Sequence, residues 1–380
     1  VDCFNRGLSR PEVSTHRHAS LSALLNLLGL LGTVAAGVLT VSSIQQAELT
    51  AFQNSIRVDS FSNSVSLLII LGTFFSLVGA IDYLKRSEAE HGEFHCLLHF
   101  AAASMILFVQ SNNLIMLFLA VETLSMAVYI LTSYLRDQHR SVEGGLKYFV
   151  LGSFSSGFLL LGFTLIFGAT GAIELPAIAE SIASNQADQA LLLAGLALTV
   201  IGLGFKVGAV PFHSWLPDAY EAAPAVATGF MSVTVKSAAI VVLLRFLVLV
   251  ANAPGSELPV GEILTSLLSL LAAATILYGN LVALLQDSVK RMLAYSAIGH
   301  TGYLLIGVVA ALAPEGSRTA EAAVLFYLLP YTLMSLAAFT LLGYLGENGA
   351  DRETFEDYRG LSTSRPVLSL CLLVVLVSFA

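Results

Sequence analysis

The stretch GLGFKVGAVPFHSWLPDAYEAAP, residues 202–224, sets a lysine, Lys206, in the middle of an apolar run and a proline, Pro211, five residues later. Proline lacks the main-chain donor and its ring clashes with the preceding helical turn. The stretch therefore predicts a helix broken at Pro211, with carbonyls near Val207 and Gly208 released from the helical ladder. Whether that break lies in water or at membrane depth depends on what surrounds it.

The surroundings are apolar throughout. Of 380 residues, 56% are hydrophobic and 12% charged, with a mean hydropathy of +0.81, whereas soluble domains carry roughly 25% charged residues. Segments long enough to cross a hydrocarbon core of about 30 Å recur along the whole chain. They fall near 19–43, 62–84, 95–109, 114–134, 148–168, 190–212, 226–250, 263–286, 292–312, 320–345 and 366–380. A span has to satisfy its own backbone hydrogen bonds. The prediction is an all-α polytopic membrane protein with eleven transmembrane helices: residues 1–18 form a polar cytoplasmic segment and 19–380 a single transmembrane domain. Asn112 and Asn113 mark a brief turn between the third and fourth spans. Val1 is not a start methionine and the chain stops within an apolar run, so the sequence reads as part of a longer protein.

Orientation follows from the 18 Lys and Arg residues. With alternating spans, Arg6, Arg10, Arg17, Lys85, Arg86, Arg136, Arg140, Lys290, Arg291, Arg352, Arg359 and Arg365 share one face, and the other receives only Arg57 and Arg318. That asymmetry makes the first face cytoplasmic. Cys3, Cys96 and Cys371 form no C-x-x-C pair, and Gly202 and Gly204 make no dinucleotide fingerprint. The chain is therefore expected to bind no metal, iron–sulfur cluster or nicotinamide cofactor.

Four ionisable residues lie in or at the ends of neighbouring spans: Glu122, Lys147, Lys206 and Lys236. A charge at the centre of a membrane helix costs about 2.5–3.5 kcal/mol on insertion scales, and such residues by default mark ion pathways. Lys147 is close enough to the cytoplasmic end to snorkel. His300, between Tyr295 and Tyr303, is a candidate proton relay, while His213 reads as a packing residue. Broken helices at membrane depth build ion sites where they line a cavity.

VETLSMAVYIL (121–131), SVEGGLKYFVLGSFSSGFLLLG (141–162), GFKVGAVPFHSWLPDAYEAAP (204–224) and QDSVKRMLAYSAIGHTGYLLIG (286–307) resemble, in order and spacing, the N-type antiporter-like membrane subunit of bacterial respiratory complex I. The resemblance covers nearly the whole chain from about residue 19, and PDAY at 217–220 is similar to the N-type form. It implies a proton relay of Glu122, Lys206, Lys236, Lys147 and His300, with Pro211 at the first broken helix. It also implies flavin, iron–sulfur clusters and quinone on partner subunits, and a place in the bacterial inner membrane among the other membrane subunits of complex I. No nucleic-acid partner is implied. A further lysine in a second broken helix is expected beyond Ala380, and the family's proline near Val235 is absent. The alternatives are an Mrp-type cation/proton antiporter subunit and a structural scaffold subunit of a membrane complex.

Overall fold

The computed structural model describes the backbone of residues 12–89, 91–253, 260–313, 317–346, 351–352 and 354–379, with side chains from Ser22 onward except at Ser317. The expectations for residues 1–11 and for Ala380 lie outside the described residues. The helices are α1 (Glu12–Ser43), α2 (Ser60–Arg86), α3 (Glu93–Gln110), α4 (Leu114–Thr132), α5 (His139–Thr170), α6 (Leu175–Ala183), α7 (Gln189–Val207), α8 (Trp215–Ala222), α9 (Ala225–Ala251), α10 (Val260–Ala283), α11 (Val289–Ala311), α12 (Ser317–Leu345), α13 (Leu361–Ser364) and α14 (Pro366–Ser378). A hairpin, Leu49–Ala51 with Ile56–Val58, joins α1 to α2.

Among the described residues, ten helices are long and apolar enough to cross a membrane; α14, the eleventh predicted span, has 13 residues. The brief turn at Asn112 and Asn113 separates two helices, because Asn113 caps α4 by accepting from the Met116 N–H at 2.7 Å. Residues 12–18 of the predicted polar segment form the first turns of α1.

Lipid-facing Leu and Phe gain little by leaving hydrocarbon, so close backbone approach and polar contacts hold helices together here. In α5 and α7, Gly162 and Gly195 make that approach. A Cβ on Gly162 would lie 2.8 Å from Thr199 N and 2.9 Å from Gly195 O. Helix α9 is the centre of the bundle, packed by α2, α3, α7, α11 and α12, with 83% of its apolar window buried against 11% for α1. Thr228, Ser232, Thr234, Lys236 and Ser237 of α9 are consequently buried within protein. At one end of the bundle Asp59 caps α2 through Ser62 N–H (2.8 Å) and pairs with Arg245 near the end of α9.

The broken helix differs in detail from the sequence expectation. Helix α7 stops at Val207, four residues before Pro211, because Gly208 adopts φ +76° and turns its N–H back to Gly204 and Phe205 carbonyls. Pro211 lies in the connecting segment. The glycine pair Gly204 and Gly208 receives Phe212 of that segment and Leu216 of α8. The small residues let the chain fold onto its own helix.

Candidate functional site

Glu122, Ser125 and Tyr129 stand at i, i+3 and i+7 on α4, a spacing that aligns them on one face. Lys206, 3% exposed in the last turn of α7, reaches that face: its Nζ donates to Ser125 Oγ at 2.7 Å and to Tyr129 OH at 3.3 Å. The Nζ also lies 5.5 Å from the centre of the Tyr129 ring. Glu122 is half-buried and accepts a hydrogen bond from Ser156 Oγ of α5. Acid and lysine do not touch; Ser125, one turn along from Glu122, stands between them. They remain within coulombic reach of each other.

A second buried group forms around α9. Lys236 is 2% exposed, donates to the Ala297 carbonyl of α11, and donates to Tyr331 OH of α12 at 3.2 Å. His300, next to that carbonyl on α11, has Nδ1 at 2.5 Å from Tyr327 OH and its ring centre 5.1 Å from that of Tyr331. The structure thus brings Lys236 and His300 into one cluster through two tyrosines.

Thr301 connects the two groups. Its hydroxyl donates to the Val207 carbonyl at 2.8 Å and to Ala297 O at 3.1 Å, the same oxygen that accepts from Lys236. One hydroxyl proton serves two carbonyls, of which one ends the helix of Lys206 and the other holds Lys236. The released groups at the break are therefore satisfied by protein: Val207 O by Thr301, Val210 N–H by Thr275 Oγ1 at 3.0 Å, and Phe205 O by Trp215 Nε1 at 2.9 Å.

Lys147 lies elsewhere. It is exposed and pairs with Glu143 (2.9 Å) and Asp218 (3.4 Å), and Arg291 joins Asp218 (2.8 Å) to Glu221 (2.9 Å). This ion network lies at the end of the bundle that the charge asymmetry predicts to be cytoplasmic, and it makes no direct contact with Lys206 or Lys236. His213 follows the break and packs edge-on against Tyr278, with ring centres 4.5 Å apart. Among the described residues no group of three or more His, Cys, Asp or Glu side chains is placed to hold a metal ion.

Sequence reasoning found the charges and missed their partners: Ser125, Tyr129, Ser156, Thr301, Tyr327 and Tyr331. For Ser125 and Tyr129 the signal was available in their helical register with Glu122. For the others no local signal exists, since the partner lies on another helix.

The hydroxyl partners have a chemical consequence. A lysine ammonium is a donor only, and a neutral amine can also accept; a Ser or Tyr hydroxyl can serve either form by rotating its proton. A carboxylate in contact would serve only the ammonium.

Residues 111–380 match the family described as NADH:quinone oxidoreductase/Mrp antiporter, TM. Subunit N 1 of NADH-quinone oxidoreductase from Herpetosiphon aurantiacus is 41% identical over 361 residues, which is 94% of this chain and 70% of that protein. Among solved structures, a chain of respiratory complex I from Thermus thermophilus with bound aureothin has a TM-score of 0.77 at 32% identity, covering 94% of this chain and 73% of that one. A chain of the Mrp complex from a Dietzia species reaches a TM-score of 0.80 over 97% of this chain and 67% of that one, but at 21% identity the likeness concerns the fold alone. Together with the buried lysines on either side of a broken helix, these matches mean that the chain belongs to the NADH:quinone oxidoreductase/Mrp antiporter membrane family, among the N subunits of NADH-quinone oxidoreductase.

Proposed function

We propose that this chain carries protons across the bacterial plasma membrane as a subunit of an NADH:quinone oxidoreductase, with Glu122, Lys206, Lys236 and His300 as the relay and Ser125, Tyr129, Thr301 and Tyr331 as its connecting groups. The observation that carries this reading is the pair of lysines, 3% and 2% exposed, each bonded to neutral oxygens. No carboxylate in contact locks either ammonium, so each can be emptied and refilled. Glu122 acts on Lys206 through space and not by direct pairing, which lets the carboxylate's state bias the lysine without capturing its proton.

Lys147 joins the relay only as part of the cytoplasm-facing network with Asp218 and Arg291, where it gathers protons near the broken helix. The chain binds no redox group itself; flavin, iron–sulfur clusters and quinone belong to partner subunits, and the other membrane subunits of the complex are its neighbours.

The test is the number of protons moved per electron by the assembled complex in proteoliposomes. Lys206→Ala lowers that number while NADH oxidation by the redox arm continues. A Lys206→Ala complex that pumps normally per electron removes this lysine from the relay. Transport that requires Na⁺ would instead favour cation/proton exchange.

A further inference from the structure

Lys290 falls by sequence between two predicted spans on the cytoplasmic face, yet it is 2% exposed in the first turn of α11. A cation is disfavoured at the N-terminal end of its own helix, where the macrodipole is positive. Its partners explain the position. Nζ lies 2.5 Å from Asp351 Oδ2 and donates to Ala223 O at 3.0 Å. Ala223 is the C-cap of α8, so Lys290 sits at the negative end of the broken helix's second half. Tyr83 OH donates to the same Asp351 oxygen at 3.3 Å.

The segment that carries Asp351 is tied to the start of α11 by its backbone as well, through the Ser288–Thr354 bridge and the Phe355 N–H to Asp287 O contact at 3.4 Å. On α11, Lys290, Ala294, Ala297 and Thr301 stand at i, i+4, i+7 and i+11, one buried face. The lysine that grips α8 and the carbonyl that accepts from Lys236 are about 10 Å apart on that face, seven residues at 1.5 Å each.

We propose that Lys290 and Asp351 form a latch: the pair, with Thr354 and Phe355, clamps the cytoplasmic connection onto the end of α8 and thereby holds α11, with Ala297 O and Thr301, in register against Lys236 and Val207. The two are positioning residues and carry no proton. The inference rests on the relay reading above and adds to it a contact through which movement at the cytoplasmic surface reaches the buried lysines.

A paired apolar replacement, Lys290→Met with Asp351→Leu, separates positioning from mere cohesion. Removing one partner strands the other as a buried charge, while removing both need not destabilise the fold. The double variant therefore assembles better than Lys290→Met alone, but loses the bond to Ala223 O. In proteoliposomes its protons moved per electron fall to the level of Lys206→Ala, with NADH oxidation retained. A wild-type ratio in the double variant beside a lowered ratio in Lys206→Ala overturns the latch and leaves the relay standing. A wild-type ratio in Lys206→Ala strikes the relay itself. If the double variant fails to assemble, Asp351→Asn, which keeps the volume and one acceptor oxygen, is measured in its place; it too lowers the ratio, and a wild-type value overturns the latch.

Discussion

Glu122 and Lys206 do not touch, and the size of their coupling can be worked from the geometry. Residues at i and i+3 on a helix have Cβ atoms about 5–6 Å apart, which sets the spacing of Glu122 from Ser125, and Lys206 Nζ is 2.7 Å from Ser125 Oγ. Laid end to end, these lengths give a charge separation of about 8 Å. At an effective dielectric of about 20, two unit charges at that distance interact by about 2 kcal/mol, which corresponds to roughly 30-fold. Glu122→Gln removes the charge and retains an oxygen to accept from Ser156. It should therefore lower pumping by up to this factor, with assembly intact. Lys206→Ala removes the carrier, after which Glu122 has nothing to act upon. In proton uptake by proteoliposomes, normalised to NADH oxidised, the double variant should lose about as much as Lys206→Ala alone, as expected for groups in one network. If the two single losses multiply in the double variant, the groups act independently and the reasoning fails.

Thr301→Val keeps the branched shape and strands the Val207 carbonyl, at a cost of about 1–3 kcal/mol; thermal denaturation of the complex should show a lowered midpoint, and Thr301→Ser should recover most of it. Gly162→Ala drives a methyl to within 2.8 Å of Thr199 N, an overpacking of about 1–3 kcal/mol, whereas Gly157→Ala meets nothing within 4 Å and should assemble as wild type. With the native cysteines replaced, cysteines at exposed positions 180 and 359 should be labelled from opposite sides of the membrane; labelling from the same side contradicts the span order.

What the sequence made legible was whatever costs energy in a membrane. The span positions follow from length and hydropathy, and the separation of α3 from α4 was anticipated by the two asparagines and the charge asymmetry. The buried lysines stood out because each is an expensive exception in an apolar run. The exact end of α7 was missed because proline is the louder signal, while the left-handed turn at Gly208 does the work. Lys290 was only counted on the cytoplasmic face; counting positive charges by side says nothing of burial, and its partner Asp351 is distant in sequence. Tyr331 and Thr301 were invisible for a related reason: hydroxyl residues are cheap in membrane helices and back-bond within their own turn, so their presence signals nothing until the facing helix is known.

The closure of the helix break by Thr275 and Thr301 bears on what happens when electron supply stops. Each elementary charge crossing 100 mV releases about 2.3 kcal/mol, and a standing wet gap beside a lysine would let that stored voltage drain. With Val207 O and Val210 N–H held by hydroxyls from two separate helices, the gap is insulated by protein at rest. In the relay proposed above, conduction would require α10 and α11 to give way together at the break, and the idle leak is expected to rise when either hydroxyl is removed.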